Sequence, residues 1–220
     1  WSPASISTDS TGNVTFTAQW KTNDAELLSG QAMNVKMKKL AGNNSATYDS
    51  TDTAITAIRR SDEVPSDAVM ADANSLISTD ASGKPVYAWF EDGTIKWWSE
   101  TEGVNANSSL ASLCYGMQNL SDISGLAAWN TGSVTDMSGM FRECNRLTDL
   151  TSLANWNTGN VTKMNAMFQE CGKLTDLTPL VNWNTGNVTK MNVMFRKCSQ
   201  LTDLTGLKKW QTGSVISIGS

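Results

Sequence analysis

The sequence of 220 residues predicts an α+β protein, a solenoid of repeats with an N-terminal α+β capping region. Three observations carry that expectation. Trp129, Trp156, Trp183 and Trp210 recur every 27 residues, and Val134, Met140-Phe141, Cys144 and Leu147 recur at the same interval. One unit, W-N-T-G-x-V-T-x-M-x-x-M-F-x-x-C-x-x-L-T-D-L-T-x-L-x-x, cannot enclose its own apolar side chains, so units must stack to bury them. The first half of the chain lacks the repeat and alternates helical, strand and turn patterns instead.

Residues 1–20 read as the tail of a preceding small β module. Val14, Phe16 and Ala18 alternate there with Thr15, Thr17 and Gln19, the period of a half-buried strand. Residues 21–109 form the expected cap. Met33, Met37, Leu40 and Ala41 fall at helical spacing, with Ser29 placed to cap the start and Gly42 to end it. Lys36, Lys38 and Lys39 fall on the outer face of that helix, toward the end where its dipole favours cations. Residues 54–59 read as a short strand, and Pro65 breaks the polar stretch 60–84. Two β-rich runs, 86–90 and 94–98, flank Asp92-Gly93, a strong hairpin signal. Trp89, Trp97 and Trp98 either pack at the junction with the repeats or offer a sugar-stacking platform.

Residues 110–220 form the repeat region. The stretch 110–128 is a worn first unit, in which Leu120, Asp122, Ile123 and Leu126 correspond to Leu147, Asp149, Leu150 and Leu153. Full units follow at 129–155, 156–182 and 183–209, and 210–220 begins another, so the sequence reads as a piece of a longer chain.

Composition narrows the function classes. There is no histidine, which removes the commonest general base and the commonest metal ligand together. A net charge of −4 and a pI near 4.8 argue against nucleic-acid binding through a general basic field. No apolar run is long enough to span a membrane. Charge is unevenly placed: Lys190, Arg196, Lys197, Lys208 and Lys209 face a single acid, Asp203, in the last full unit. That cluster is either a solvated end or a docking patch for an acidic glycan or an acidic neighbouring domain.

Residues that recur at one position read first as architecture. Cys144, Cys171 and Cys198, with Cys114 where later units have Phe141, Phe168 and Phe195, read as small buried hydrophobes, although a bridge between neighbours is geometrically possible. The Trp ladder suits packing over the leucines, its N–H groups bonded to nearby carbonyls, or else sugar stacking. Asn130, Asn157 and Asn184 precede Thr-Gly, which is turn chemistry. Asp122, Asp149, Asp176 and Asp203 either accept turn amides or share a cation. A catalytic site is a unique constellation, whereas these residues recur, so no enzyme activity, cofactor or metal is expected.

The segments V-T-D-M-S-G-M-F-R-E-C-N-R-L-T-D-L and V-T-K-M-N-A-M-F-Q-E-C-G-K-L-T-D-L resemble the BspA-type leucine-rich repeat, in the variant found in mycoplasma lipoproteins and Gram-positive surface proteins. The opening W-S-P…V-T-F-T-A-Q-W resembles the closing half of the Listeria–Bacteroides (InlB B-type) repeat. The resemblance implies a leucine-rich-repeat-like solenoid, with a parallel strand entered at Leu147 and Leu150 and its counterparts. It also implies extracellular display on a bacterial cell and association with adhesion. The expected function is a non-enzymatic surface interaction module whose partner is a host or matrix protein or a glycan. Thr151, Thr178 and Thr205 then line an exposed stripe of the binding surface, with Lys190, Arg196, Lys197, Lys208 and Lys209 at its basic end. A structural stalk and a carbohydrate-binding module using exposed Trp are the competing readings.

Overall fold

The computed structural model describes residues 5–8, 14–17, 24–79 and 83–216, the first two spans as backbone. The alternating run near residue 14 is a strand. β2 (Val14–Thr17) pairs antiparallel with β1 (Ser5–Thr8), Phe16 opposite Ile6. The other positions of the expected 1–20 module, Trp1, Pro3, Ala18 and Trp20 among them, lie outside the described residues.

Ser29 starts the first helix as its sequence context predicts. Its Oγ accepts the Ala32 N–H at 3.4 Å, and α1 runs Gly30–Leu40. Met33 and Met37 are buried in line with their spacing. Lys38 departs from expectation, because it lies inside the protein and not on the outer face. A two-residue strand, β3 (Ala25–Glu26), precedes α1 and pairs parallel with β7 (Val104–Asn105), which pairs parallel with β8 (Trp129–Asn130).

The second three-stranded sheet is built on the Asp-Gly hairpin. β5 (Val86–Glu91) and β6 (Thr94–Ser99) are antiparallel around Asp92 and Gly93, whose φ values of 46° and 80° are the two left-handed positions such a tight turn demands. β4 (Ala57–Arg60) adds to β6 in parallel, later in the chain than the expected 54–59 strand. A short helix, α2 (Asp67–Ala71), follows, its first turn capped by Ser66 Oγ. Strand alternation turns Val86, Ala88, Ile95 and Trp97 inward. One apolar core runs from Ala25 to Cys198, and within it the Trp97 and Trp129 rings lie 6.3 Å apart.

The expectation of a leucine-rich-repeat-like solenoid is corrected by this architecture. Over the described residues the chain is a small α+β protein with two three-stranded sheets and two helices, and no ladder of strands runs through the repeats. The leucines expected to enter a parallel strand lead instead into 3₁₀ turns at Ser124–Ala128, Thr151–Leu153, Thr178–Leu180 and Thr205–Leu207. The cause is local. Asp149 Oδ1 accepts the Thr151 N–H at 2.8 Å, and Asp176 and Asp203 do the same for Thr178 and Thr205 at 2.7 and 2.8 Å. Such a bond curls the backbone that a strand would extend.

Parallel pairing between units is confined to single bridges, Ser109 to Asp136, Asp136 to Lys163 and Lys163 to Lys190. It stops there because the next positions turn left-handed, at φ 61° for Gly139, 54° for Ala166 and 52° for Val193. Units are joined mainly by amides at alternate residues. Leu110, Cys114 and Gly116 donate to Asp136, Met140 and Arg142 at 2.9, 2.8 and 2.9 Å. The same bonds recur one period later from Met137, Phe141 and Glu143. Side chains reinforce them: Thr158 Oγ1 donates to the Asn184 carbonyl at 3.0 Å, and Asn160 Nδ2 to that of Gly132 at 2.7 Å.

Candidate interaction surface

Each recurring residue type occupies one environment. All four cysteines are free and buried, as the sequence suggested. The Sγ atoms of Cys144, Cys171 and Cys198 donate to the carbonyls of Cys114, Phe141 and Phe168 at 3.2, 3.1 and 3.0 Å. Burial pushes the Cys144 and Cys171 thiols well up, and that of Cys198 up to about 11. They are therefore protonated packing groups and not thiolate nucleophiles. Phe141, Phe168 and Phe195 stack with centroids 5.6 and 5.7 Å apart.

The indoles take the packing role. Trp129, Trp156 and Trp183 are buried. Nε1 of Trp156, Trp183 and Trp210 donates to the carbonyls of Leu126, Leu153 and Leu180 at 3.2, 2.9 and 3.0 Å. Trp129 Nε1 is buried with no partner among the described residues. The buried rings of Trp129, Trp156 and Trp183 present no free face to a sugar, whereas Trp210 is half-buried. In the hairpin Trp97 is buried, while Trp89 and Trp98 are half-buried on the outward side of the sheet. The Asn side chains serve turns: Asn157 and Asn184 accept the Gly159 and Gly186 amides at 3.1 and 3.0 Å.

The candidate binding residues fall into two groups. Thr151, Thr178 and Thr205 are exposed, and each opens a 3₁₀ turn. Successive turns lie next to one another, from Ser124–Ala128 to Thr205–Leu207. Lys208 and Lys209 follow the Thr205 turn directly in sequence, and both are exposed. Lys190, Arg196 and Lys197 sit on the segment between Val188 and Cys198, away from those turns in the sequence of each unit, and all three are exposed. Lys197 is paired with Glu170 at 2.8 Å, a hydrogen bond that holds the Glu170 carboxyl below its ordinary range. Lys209 Nζ donates to Asn182 Oδ1 at 3.0 Å. Lys190, Arg196 and Lys208 make no ion pair among the described residues.

The aspartates next to the threonines are committed to turn amides. The Thr178 hydroxyl and amide hold Asp176 below its ordinary value. Asp122 is lowered too: its burial works the other way, but the Ser124 amide and hydroxyl and the Arg59 guanidinium, 2.7 Å from Oδ2, outweigh it. No group of three or more His, Cys, Asp or Glu side chains able to hold a metal ion occurs among the described residues. No helix among them is long and apolar enough to cross a membrane.

Sequence reasoning missed one polar cluster altogether. Asn34 and Lys38, buried on α1, donate to backbone carbonyls of the first unit: Asn34 Nδ2 to Leu113 at 3.2 Å, Lys38 Nζ to Tyr115 at 2.8 Å. Lys38 also reaches the carbonyls of Thr47 and Tyr48 at 3.5 and 3.2 Å, and that of Ser50. Two polar residues one turn apart, each directly after a buried methionine (Met33-Asn34 and Met37-Lys38), were the signal available.

Fold and surface together define a class: an α+β protein whose second half consists of tandem 27-residue units with inward apolar and outward polar rows. The chain belongs to the family described as Mycoplasma protein of unknown function, DUF285, whose sequence profile matches residues 108–220, just over half its length. This supports the resemblance at the level of the mycoplasma repeat group; neither a BspA-type leucine-rich repeat nor an InlB B-type repeat is shown. Comparison with curated proteins and with solved structures gave no match.

Proposed function

We propose that this chain is a non-enzymatic interaction module of a bacterial surface protein, adhering to a host or matrix protein or a glycan through the outward rows of its repeat half. The observation that supports it is the division of labour within each unit. Apolar, indole and thiol side chains are spent on the core, whereas Thr151, Thr178 and Thr205 stay exposed at one repeating position. Lys208 and Lys209 follow the last of these turns in sequence. A recurring exposed hydroxyl with a cationic segment after the last unit suits a partner with regularly placed acceptors and some negative charge. The buried indoles favour a protein partner over sugar stacking on the Trp ladder.

Binding of the chain to immobilised matrix proteins and glycans, at physiological and at high salt, tests this reading. A specific partner whose binding weakens with salt, and weakens further in Lys208→Glu/Lys209→Glu, is the expected result. Folded protein that binds nothing would replace it with a spacer role. Sugar binding that quenches Trp fluorescence would move the site to Trp89 and Trp98.

A further inference from the structure

In the repeat half, charge sorts by position within the unit. Residues 136–146, 163–173 and 190–200 carry seven Lys or Arg against three Asp or Glu. Residues 129–135, 156–162 and 183–189 carry no charge, and 147–155, 174–182 and 201–209 carry three aspartates against two lysines. The first set thus has a surplus of four positive charges in a chain whose net charge is −4.

The fold aligns those three segments. Parallel bridges join Asp136 to Lys163 and Lys163 to Lys190. The Glu170 amide donates to the Arg196 carbonyl at 2.8 Å, and Ser199 Oγ to the Gly172 carbonyl at 3.4 Å. Stacked Phe rings set the step from unit to unit at 5.6 and 5.7 Å. Each of the three acids already has a cation: Asp136 has Lys163 at 3.3 Å, Glu143 has Arg142 at 3.4 Å, and Glu170 has Lys197 at 2.8 Å. Arg146, Lys173, Lys190 and Arg196 remain, exposed and without an ion pair or side-chain hydrogen bond among the described residues. Arg146 and Lys173 lie in units with repeat sequence on both sides. The next acids along the chain, Asp149, Asp176 and Asp203, are bonded to turn amides.

We infer that this flank binds a linear sulfated glycan, lying across the units with its sulfates on Arg146, Lys173, Lys190 and Arg196. Unpaired cations fixed on adjacent units build a local positive field that an extended anion relieves. The guanidinium groups offer a planar fork to an oxyanion, and the lysines serve it as point charges. Asn145, beside Arg146, and Gln200, in the place of Lys173 one unit on, are exposed and offer amides to sugar hydroxyls. These three segments hold no exposed aromatic ring on which the bases of a nucleic acid could stack. The site precedes Leu147, Leu174 and Leu201 in each unit, whereas the threonine turns follow them. It extends the surface-adhesion reading and rests on it only for the extracellular setting.

Biolayer interferometry of the full chain on immobilised heparin tests it, at physiological and at high salt, with hyaluronan, lipoteichoic acid and single-stranded DNA as competitors. Wild type should bind heparin and release it in high salt, and no competitor should match soluble heparin. Arg146→Ser/Lys173→Ser/Arg196→Ser should melt like wild type and bind at least about tenfold more weakly, because three exposed charge contacts are lost. Lys208→Glu/Lys209→Glu changes the net charge more than the triple variant does, and should weaken heparin binding less. Folded wild type that ignores heparin at physiological salt, an unweakened triple variant, or a competitor as effective as heparin would each overturn the proposal. Loss of heparin in Lys208→Glu/Lys209→Glu alone would overturn it too, by placing the glycan at the end of the threonine turns. A chain that binds an immobilised matrix protein but not heparin keeps the adhesion reading and loses this one. If the triple variant does not melt cooperatively, Lys173→Glu alone decides by the same readout.

Discussion

Lys38 Nζ donates to the Tyr115 carbonyl at 2.8 Å, where one period later the Arg142 carbonyl receives a backbone amide, that of Gly116, at 2.9 Å. A side chain on a helix thus does the work of a main chain. It does so from a fully buried position, and a buried ammonium is tolerable only with its donors satisfied. Carbonyls of Thr47, Tyr48 and Ser50 complete that requirement and tie the 43–53 loop to the helix.

This burial has a pH signature. Desolvation lowers the Lys38 pKa from 10.5 to about 8, with Asp52, Cys114, Cys144 and Asp49 acting in the opposite direction. Between about 8 and 10.5 the unfolded chain therefore holds a proton that the folded chain has lost. The unfolded state binds more protons there, so this residue's contribution to stability rises with pH across that window and is constant below it. Lys38→Met should remove the rise. It should also destabilise the protein at pH 7, by up to about 1–3 kcal/mol, for leaving carbonyls without donors. Urea midpoints of both proteins at pH 7 and pH 10 check this, and an unchanged difference between them at the two pH values would refute it.

The Trp ladder makes an ordering prediction. Trp183 Nε1 satisfies the Leu153 carbonyl at 2.9 Å, while Trp129 Nε1 is buried without a partner among the described residues. Trp183→Phe deletes a made hydrogen bond, although the Leu153 carbonyl keeps the Trp156 N–H at 3.1 Å; Trp129→Phe removes a stranded donor. The two changes delete similar ring area, so Trp183→Phe should cost more, by about 1–2 kcal/mol. Equal unfolding free energies in denaturant titrations would show that these N–H bonds carry no weight.

Periodic and local features were the legible part of this sequence. The 27-residue repeat, the Ser29 cap, the Asp92-Gly93 turn and the burial of all four cysteines follow from spacing or from short-range chemistry. Two things were not read correctly. The family resemblance implies strand entry at Leu147 and Leu150, yet Asp149 captures the Thr151 amide and a 3₁₀ turn follows. The aspartates accept turn amides, one of the two roles the sequence offers them, and that same bond diverts the chain from a strand. Lys38 was assigned to the outer helix face because charge usually faces water; the row of carbonyls that draws it inward exists only after folding. Thr151, Thr178 and Thr205 are exposed, but as the first residues of turns and not beside a strand.

The aspartate row permits a direct test of turn against cation. Asp149→Ala removes the acceptor of the Thr151 amide and should cost about 0.5–2 kcal/mol, as loss of a helix-capping side chain does. Asp149→Asn keeps an oxygen in place and should cost little. Neither calcium nor chelator should shift the melting of wild type. For Asp176, the Thr178 hydroxyl and amide lower the folded pKa below the ordinary 3.8. Its contribution is present above 3.8 and fades as pH falls through the lower folded value, so Asp176→Asn should flatten that part of the acid limb. A calcium-dependent gain in melting temperature, lost in Asp149→Asn, would overturn the turn reading.

Val193 carries the clearest local conflict in the chain. Its φ is 52°, in the left-handed region, at the position where Gly139 has φ 61° and Ala166 has φ 54°. A β-branched side chain there strains against its own backbone, and left-handed geometry costs an L-residue roughly 1–2 kcal/mol. Asn tolerates that conformation through local hydrogen bonding, whereas Gly gives back roughly 0.5–1 kcal/mol in unfolded-chain entropy. Val193→Asn should therefore stabilise the protein by about 0.5–1 kcal/mol after the loss of some apolar contact from a half-buried side chain. Val193→Gly should be close to neutral. The reciprocal change, Ala166→Val, places the same strain between two units and should destabilise by about 1 kcal/mol or more. Chemical denaturation of the three variants reads all of this. If Val193→Asn loses stability while Ala166→Val is neutral, the side chain at this position is held by packing and the backbone there is not strained.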